Sequence, residues 1–414
     1  MRKNTDFGQI PNDWDVKKII DVKADDKRAI AMGPFGSNIK AENFVGQGVP
    51  VIRGTNLNFA KYVDGNFVYL TEDKANELIG SNCKPMDLVF THRGTIGQVG
   101  LIPKNKFERY VISQSGMKLT VNPEIIDPEF LFYFFKSEFG QYQILKYESQ
   151  VGVPSISNPL TSLKEITVPV PPLPEQQAIA SVLSSLDDKI DLLHRQNKTL
   201  EAMAETLFRH WFIEEAKEDW EEILITDLFE VKDGTHDSPK QSEVGFHLIT
   251  SKHIHNGQID FDSAYLVSNI DYEKINQRSK VEQFDILFSM IGTLGLIYIE
   301  MNEKVDYAIK NIGLFKTSQN PKWCYFLYLW LKSSFGNEFI EENKSGSTQE
   351  YISLGSLRKI NFKVPNVEKI DVLNSAVDKQ FNKIFANKKQ IQTLENLRDT
   401  LLPKLMSGEI RVQH

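Results

Sequence analysis

Cysteine is scarce in this sequence. Only Cys83 and Cys324 occur in 414 residues, and they lie far apart in unrelated contexts. Two such residues can form neither a disulfide framework nor a cysteine-based zinc cluster. We therefore expect the chain to work in a reducing compartment, the cytoplasm.

Long hydrophobic runs are also missing. The polar start at 1–6 leads to no apolar stretch, so we expect no signal peptide. The longest apolar run, 323–331 (WCYFLYLWL), is bounded by lysines and is too short to cross a bilayer. We predict that it forms a buried helix and that the protein has no membrane partner.

Excess positive charge is absent. The chain carries 48 Lys and Arg against 55 Asp and Glu, a formal net charge of −7, and no segment is strongly basic. Proteins that hold nucleic acid without regard to its sequence carry such a basic block. Any contact with nucleic acid must therefore use local clusters of donors or depend on a basic partner.

Recognisable catalytic and metal motifs are missing as well. The chain has no G-x-x-x-x-G-K-[ST] phosphate loop, no G-x-G-x-x-G after a strand and no His/Cys set with metal spacing. The segment 170–173 (VPPL) lacks the leading polar residue of the Asn-Pro-Pro-aromatic motif of amino-methyltransferases. His253 and His255 are open to two interpretations, as metal ligands or as parts of a polar loop. We assign no catalytic residue and no metal ligand.

What the chain does have is an apolar seam within 174–212. Apolar residues recur there at alternating steps of four and three, with one polar member; the series is Ile179, Leu183, Leu186, Ile190, Leu193, Asn197, Leu200, Ala204 and Leu207. This heptad pattern predicts a helix of roughly 50 Å, at about 1.5 Å per residue, with Pro174 in its first turn. One such helix cannot bury its own seam and needs a partner.

A second helix of the same kind is predicted near the C-terminal end of the sequence. The segment 199–207 (TLEAMAETL) is echoed by 393–401 (TLENLRDTL), and the seam continues from Leu373 to Leu401 with Asn387 as its polar member. We predict that the two helices pair and that Asn197 meets Asn387, because a buried Asn fixes the register of such seams.

The segments before the two helices match one another too. Short strands and loops at 50–57, 87–97, 112–119 and 166–170 have counterparts at 246–254, 285–295, 309–316 and 360–364, and the aromatic helix predicted at 130–140 has one at 325–336. Each segment therefore predicts an α/β (α+β) globule with one buried helix. The predicted order is a globule at 1–172, a helix at 173–214, a similar globule at 215–366, and a second helix with the C-terminal tail at 367–414.

Polar, donor-rich loops occupy equivalent places in the two globules. Their Arg, Lys, Asn, Gln, Ser and Thr side chains are the types that contact base edges and phosphates. Any one of them is explained as an ordinary solvated residue, but the repeated set favours DNA recognition. The candidate residues are Asn38, Lys40, Arg53, Thr55, Asn56, His92, Arg93, Thr95, Gln98, Gln114, Ser115, Gln150, Ser155 and Ser157 in the first globule, and His236, Ser238, Lys240, Ser251, Lys252, His253, Ser289, Thr293, Lys310, Asn311, Lys344, Ser347, Thr348, Gln349 and Tyr351 in the second.

The two copies differ most in these loops. The first has 91–93 (THR) where the second has 289–291 (SMI), while the Asp-apolar-apolar-Phe before them and the Gly-Thr after them are kept. A retained scaffold with altered loops is typical of two binding modules with different targets.

Four strings of residues, in this order, carry a family resemblance. They are 33–37 (GPFGS), 87–97 (DLVFTHRGTIG), 171–177 (PPLPEQQ) and 401–410 (LLPKLMSGEI), and the second copy has 233–239 (DGTHDSP) in place of the first string. With the duplication, which covers essentially the whole chain, they make the sequence resemble the DNA-specificity subunit of type I restriction–modification enzymes.

The resemblance implies two target-recognition domains, each reading one half of an asymmetric bipartite site on double-stranded DNA. The two helices would pack as an antiparallel coiled coil that sets the gap between the half-sites. They would also dock two adenine-methyltransferase (modification) subunits, which bring S-adenosylmethionine, and restriction/translocase subunits driven by ATP/Mg would join the complex. This subunit itself would hold no cofactor and no catalytic residue.

Two other interpretations stay open. One is a two-headed adaptor for protein assembly that never binds DNA, which the acidic second globule favours. The other is an enzyme whose site the motifs do not reveal. Binding of DNA by the chain together with its methyltransferase would separate the DNA-reading interpretation from the adaptor.

Overall fold

The computed structural model describes residues 2–5, 7–58, 61–149, 152–255, 257–364 and 367–412. Contacts divide the chain into two compact units, Met1–Leu193 with Gln390–His414 (unit 1) and His194–Lys389 (unit 2). Each unit contains one globule and a part of both long helices. The division into four consecutive parts stays a prediction.

Unit 1 holds the first globule and begins with a short β-hairpin. Its elements are β1 (Arg2–Thr5), β2 (Gly8–Pro11), β3 (Asp15–Lys18), α1 (Ile19–Val22), β4 (Ile30–Met32), β5 (Val49–Ile52), β6 (Val68–Leu70), α2 (Glu72–Glu77), β7 (Asn82–Cys83), β8 (Leu88–Thr91), β9 (Val99–Leu101), β10 (Tyr110–Ile112), β11 (Gly116–Leu119), α3 (Pro128–Lys136), α4 (Glu138–Leu145), β12 (Glu148–Ser149), β13 (Ser155–Ile156), α5 (Pro159–Glu165) and β14 (Thr167–Val170). The first long helix, α6 (Leu173–Arg209), follows and enters unit 2.

Unit 2 holds the second globule. After a π-helical turn at His210–Glu214, its elements are β15 (Glu221–Leu224), α7 (Ile225–Leu228), β16 (Val231–Asp233), β17 (Phe246–Ile249), β18 (Ile254–His255), β19 (Gln258–Ile259), β20 (Leu266–Val267), α8 (Asn269–Ser279), β21 (Ile286–Ser289), β22 (Ile297–Ile299), β23 (Tyr307–Ile309), β24 (Ile312–Phe315), α9 (Cys324–Lys332), α10 (Ser334–Asn343), α11 (Leu354–Leu357) and β25 (Asn361–Val364). The second long helix, α12 (Val367–Met406), begins here and ends in unit 1.

The two globules share one sheet topology. The order β4-β11-β8-β9 in unit 1 corresponds to β16-β24-β21-β22 in unit 2, and both sheets are antiparallel. A second sheet, β6-β5-β10-β7 or β20-β17-β23, contains in each unit one parallel pair, β5 with β10 or β17 with β23. The predicted duplication and the mixed α/β fold are therefore confirmed.

A buried aromatic helix is present in each globule, as predicted, but each is shorter than predicted. The segment 130–140 is split at Ser137, whose side chain accepts from the Gly140 amide (3.3 Å) and starts α4. A Cβ on Gly140 would lie 2.0 Å from the Phe134 carbonyl oxygen, so the close turn requires glycine. Unit 2 repeats the break between α9 and α10, at Ser333 and Gly336.

The long helices lie side by side in unit 1. Leu183 of α6 belongs to the same apolar cluster as Leu405 of α12, whereas Leu193 clusters with Ile391. Residue numbers rise along α6 as they fall along α12, so the pair is antiparallel in this unit. The cluster around Leu183 also contains the aromatic side chains of α3, and the globule and the helix pair therefore share one core.

In unit 2 the seam contains the predicted pair of asparagines. Asn387 Nδ2 donates to Asn197 Oδ1 at 2.8 Å and to Gln196 Oε1 at 2.9 Å, which confirms the pairing. Asn387 is fully buried, and its Oδ1 has no hydrogen-bond partner among the described residues. Such a contact lowers stability but is satisfied in a single register of the two helices.

An ionic cluster links each globule to its helix pair, around the buried Asp187 in unit 1 and around the half-buried Glu201 in unit 2. In unit 1 Asp187 of α6 accepts from the Tyr133 hydroxyl of α3 (2.8 Å) and from Arg398 of α12 (3.0 Å). In unit 2 Glu201 of α6 accepts from the Tyr328 hydroxyl of α9, and Lys332 lies 2.8 Å from the same carboxylate. Because a carboxylate that loses water needs such donors, each cluster helps to fix how its globule sits on the helices, most strongly at the buried Asp187.

A further lysine of α12 ties a hairpin turn of the second globule to the helix. Lys388 Nζ donates to the Gly257 carbonyl oxygen at 2.6 Å. Burial lowers the pKa of Lys388 to about 8; Lys332 also lowers it, whereas Glu201 opposes the shift. The ammonium is therefore held in place at a cost in desolvation.

Candidate nucleic-acid interface

The glycine-bracketed threonine loop of unit 1, residues 91–98, is tightly built. Gly94 and Gly97 adopt positive φ angles (86° and 85°), and the Thr91 hydroxyl donates across the loop to the Thr95 carbonyl. The Gly94 amide donates to the Pro154 carbonyl at 2.9 Å, which ties the loop to residues 152–157. Thr95 is exposed at the tip of a loop whose backbone is fixed.

A second connection runs through the β10–β11 turn. His92 Nε2 lies 3.1 Å from the Gln114 carbonyl oxygen, and the Gln114 side chain donates to the carbonyls of Gly36 (2.7 Å) and Ile39 (3.3 Å). Burial lowers the pKa of His92, so the ring is neutral at pH 7 and serves as a structural contact. The loop at 33–40 is thereby held beside the threonine loop.

The loop that follows β5 completes the set in unit 1. The Asn56 side chain accepts from the Arg53 amide (3.0 Å) and donates to the Asp64 carbonyl (2.9 Å), and it is almost fully buried. Gln98 donates to the Asn58 side chain across the gap between the two loops. Five loops of unit 1 are therefore joined by direct hydrogen bonds into one polar surface, the unit 1 loop surface (33–40, 53–58, 91–98, 113–116 and 152–157).

Unit 2 builds the same frame with other side chains. Gly292 and Gly295 again have positive φ angles (81° and 78°), and the Ser289 hydroxyl donates to the Thr293 carbonyl at 2.6 Å. The Gly292 amide donates to the Glu350 carbonyl (3.2 Å), which corresponds to the bond from Gly94 in unit 1. These two hydrogen bonds of the threonine loop, one across the loop and one to the neighbouring segment, are thus present in both units.

The turn before β24 also contacts the loop after β16. Lys310 Nζ donates to the Ser238 hydroxyl at 2.6 Å, and His236 Nδ1 lies 2.8 Å from the Asn311 side-chain oxygen. His236 Nε2 lies 2.9 Å from Asp233, so both ring nitrogens are engaged. The unit 2 loop surface consists of 234–240, 250–255, 289–296, 310–312 and 344–351.

Exposure divides the predicted site residues into three groups. Exposed are Asn38, Lys40, Arg53, Thr55, Arg93, Thr95, Gln114, Ser157, His236, Ser238, Lys240, Lys252, Thr293, Ser347, Thr348, Gln349 and Tyr351. Half-buried are Gln98, Ser115, Ser155, Ser251, Lys310, Asn311 and Lys344. Gln150 lies outside the described residues.

The third group is buried: Asn56, His92, His253 and Ser289. His253, for example, is 0% exposed, and its Nδ1 accepts from the Thr250 amide at 2.9 Å. Burial lowers the pKa of His253 and keeps the ring neutral. These four side chains hold the loops from within, and we leave them out of the proposed DNA contacts.

One cation of the unit 2 loop surface is already paired. Lys344 lies 2.8 Å from Glu341 and 3.4 Å from Glu350, and its hydrogen bond to Glu341 raises its pKa. A phosphate would have to compete with both carboxylates. Sequence reasoning also missed two residues of unit 1, Asn58 and the exposed Phe35; the Gly-Pro-Phe-Gly string was the available signal for Phe35.

The described part of the chain contains neither a grouped set of metal ligands nor a membrane-crossing helix. Within it, no three His, Cys, Asp or Glu side chains are grouped so as to hold a metal ion. No helix that the structure describes is both long and apolar enough to cross a membrane.

Comparisons with known proteins agree on one family. A family model described as the type I restriction modification DNA specificity domain matches residues 11–202 and 217–396. The chain is 28% identical to the type I restriction enzyme MjaIX specificity subunit of Methanocaldococcus jannaschii, over 99% of this chain and 96% of that protein. It is 24% identical to the HindI specificity subunit of Haemophilus influenzae, over 86% and 94%.

The fold has a counterpart among solved structures. The crystal structure of the S subunit of a type I restriction–modification system from M. genitalium matches with a TM-score of 0.57 at 20% identity, over 96% of both chains. Two matches of one family model, one on each globule, reproduce the internal repeat seen in the sheets. The chain belongs to the family of type I restriction–modification DNA-specificity subunits.

Proposed function

We propose that each globule reads one half of a bipartite target on double-stranded DNA. The observation that carries this is the repeated frame of the two loop surfaces, which present different side chains on the same hydrogen-bonded backbone. Exposed donors such as Arg93 and Thr95 in unit 1, and Lys252 and Gln349 in unit 2, are suited to base edges and phosphates.

The target should be asymmetric. At equivalent positions of the threonine loop, unit 1 carries the exposed Arg93 and unit 2 the half-buried Ile291. A guanidinium can donate two hydrogen bonds to guanine, whereas an isoleucine offers only apolar contact, for example to a thymine methyl group. The two half-sites would therefore differ in sequence.

The long helices would set the gap between the half-sites and dock two adenine-methyltransferase subunits. The buried Asn197–Asn387 contact supports the first role, because it fixes one register. Apolar side chains that stay exposed on the helices support the second: Leu192 is 49% exposed, Met203 50% and Val372 55%. These partners would bring S-adenosylmethionine, and restriction/translocase subunits would bring ATP with Mg; this subunit would contribute no catalytic residue.

The acidic charge of the chain fits a division of labour with those partners. With a net charge of −7, the chain alone has little to neutralise DNA phosphates. We therefore expect weak DNA binding by the isolated chain and tight, specific binding once methyltransferase subunits are present. The cytoplasm remains our expectation for its location, in keeping with two free, buried cysteines.

Methylation mapping tests this function. DNA from cells with the gene should carry methyladenine at a bipartite sequence that is unmethylated in cells without it. Arg93→Ala should relax or change the sequence recognised at one half-site only. Lys252→Ala should change the sequence recognised at the other half-site, or how fully that half-site is occupied. The matched control is Arg28→Ala, an exposed arginine of unit 1 outside the loop surface. A methylation pattern that ignores deletion of the gene would refute the proposal.

One observation favours a second candidate, an adaptor for protein assembly. The net charge is negative, and the basic groups of the loop surfaces are few. A mobility shift assay with the co-expressed methyltransferase separates the two, since an adaptor would leave a duplex carrying the mapped site unbound.

A further inference from the structure

Phe35 is the most exposed aromatic side chain on the unit 1 loop surface. It is 71% exposed, although its neighbours Gly33, Pro34 and Ile39 are buried. A single exposed apolar residue is ordinary on a protein surface. Its setting is not ordinary, because the ring stands among hydrogen-bond donors on a backbone that is fixed on both sides.

Glycine at position 33 makes this placement possible. Its amide donates to the Gly116 carbonyl at 2.9 Å, and a Cβ on Gly33 would lie 1.8 Å from the Ser113 carbonyl oxygen. Two further bonds, from the Gln114 side chain to Gly36 and Ile39, hold the other side of the turn. The turn thus presses against β11 and presents the Phe35 ring outward.

Unit 2 places another ring at the equivalent position. The Gly234 amide donates to the Ile312 carbonyl at 2.9 Å, and Ile312 pairs with Ser289 as Gly116 pairs with Thr91. Gly234 is also closed to a Cβ, which would lie 2.4 Å from the Ile309 carbonyl oxygen. Two residues after this glycine, as Phe35 follows Gly33, comes His236.

The second ring is also exposed and braced. The His236 side chain is 63% exposed, and its two nitrogens are held by Asn311 and Asp233. The loop sequences differ strongly between the units. In both, however, an exposed planar ring lies two residues after a glycine that has no room for a side chain. The same arrangement of a closed glycine and an exposed ring therefore occurs in both globules.

We propose that Phe35 packs against an unstacked base step in its half-site, and that His236 stacks at the corresponding place in the other. This deepens the proposed function and rests on it. A phenyl ring has no hydrogen-bonding group, so it cannot hold a phosphate, and the base-edge contact open to it is apolar, such as one with a thymine methyl group. Apolar wedges of this kind enter between base pairs, and aromatic faces stack on any base.

The test uses the full chain assembled with its methyltransferase subunits and a duplex containing the mapped target. Adenines of the unit 1 half-site and its flanks are replaced one at a time by the fluorescent analogue 2-aminopurine, which brightens when it is unstacked. The methylated adenines are left out, since methyltransferases flip them out of the helix. With wild type, one step should brighten on binding.

Phe35→Ala should abolish that brightening and weaken specific binding about 5- to 150-fold, the fold-change equivalent to ~1–3 kcal/mol of stacking. Phe35→Trp should keep both. Tyr142→Ala removes an aromatic side chain that is similarly exposed (67%) on α4, and should change neither. Thermal melts of all three variants should match wild type, because none of these side chains is buried.

Several results would overturn the inference: brightening that survives Phe35→Ala, equal losses in the Phe35 and Tyr142 alanine variants, or no brightening with wild type. A wild-type complex that binds no specific sequence would instead refute the proposed function. The two failures are therefore distinguishable.

Discussion

The buried asparagine pair offers the sharpest test of how the long helices are held. The perturbation is the double variant Asn197→Leu with Asn387→Leu. It replaces the polar Asn197–Asn387 layer of the seam in unit 2 by an apolar one. We expect the free energy of unfolding of unit 2 to rise while the preference for one register of the helices weakens.

The magnitude follows from the contacts. The variant loses two hydrogen bonds from Asn387, each worth about 1 kcal/mol net, and removes a buried oxygen that has no partner among the described residues, which recovers about 1–3 kcal/mol. One fully buried leucine and one half-buried leucine add roughly 3 kcal/mol. Overpacking by the larger side chains subtracts about 1–3 kcal/mol. Taken at their central values, these contributions leave an expected net gain of about 1 kcal/mol.

Two measurements check this. Calorimetry should show a rise in Tm of roughly 2–4 °C for a unit of this size. Methylation of a DNA library in which the gap between the half-sites varies should show additional gap lengths accepted. Asn396→Leu, an exposed position on the same helix, adds the same side chain without touching the seam and should leave both readouts unchanged. A drop in Tm, or an unchanged gap preference, would refute the reasoning.

Three further predictions concern a close backbone contact, the half-buried Lys388 and the ion pair of the buried Asp187. Gly33→Ala should displace its loop and lower target binding at least tenfold, whereas Gly46→Ala, with open space around it, should bind as wild type in the same assay. Lys388→Met should stabilise unit 2 by roughly 1–3 kcal/mol at pH 7. Burial lowers the pKa of Lys388 to about 8, so wild type loses this charge above that pH. In urea denaturation, the difference in unfolding free energy between the variant and wild type should therefore disappear between about pH 8 and 10. Asp187→Ala should cost unit 1 about 2–4 kcal/mol in urea, because it strands a buried phenol and a guanidinium, whereas Asp188→Ala, with a side chain 68% exposed, should cost under about 1 kcal/mol.

Much of the architecture was predictable because it is periodic or repeated. The heptad spacing predicted both long helices, and the matching strings predicted the duplicated sheets. The Asn197–Asn387 contact followed from the position of two polar residues in otherwise apolar seams. These features depend on local spacing, which a sequence displays directly.

Other features depend on packing that spacing does not reveal. The predicted helix at 130–140 is broken because Ser137 caps a new helix and Gly140 approaches the backbone too closely for a side chain. The parallel pairing of β5 with β10 joins strands far apart in the chain. Neither an apolar pattern nor a composition specifies such a contact.

The candidate site was predicted as a set of loops but not residue by residue. Asn56 and His253 are polar and sit in the right loops, yet each turns inward and bonds to the backbone three residues before it. That i to i+3 spacing is a capping pattern and was the available local signal. Phe35 has no hydrogen-bonding group, so the pattern of polar donors that marks these loops does not include it.

Unit 1 is assembled from the two ends of the chain, and this has a consequence for biosynthesis. Its core takes in Leu405 and Met406, Trp14 lies against Gly408, and Arg411 pairs with Asp13. A ribosome has to translate as far as residue 411 before the first globule can close around the end of α12, whereas residues 194–389 are translated earlier. A nascent chain that stalls before these residues are made would thus leave the first globule, although it is translated first, without part of its core.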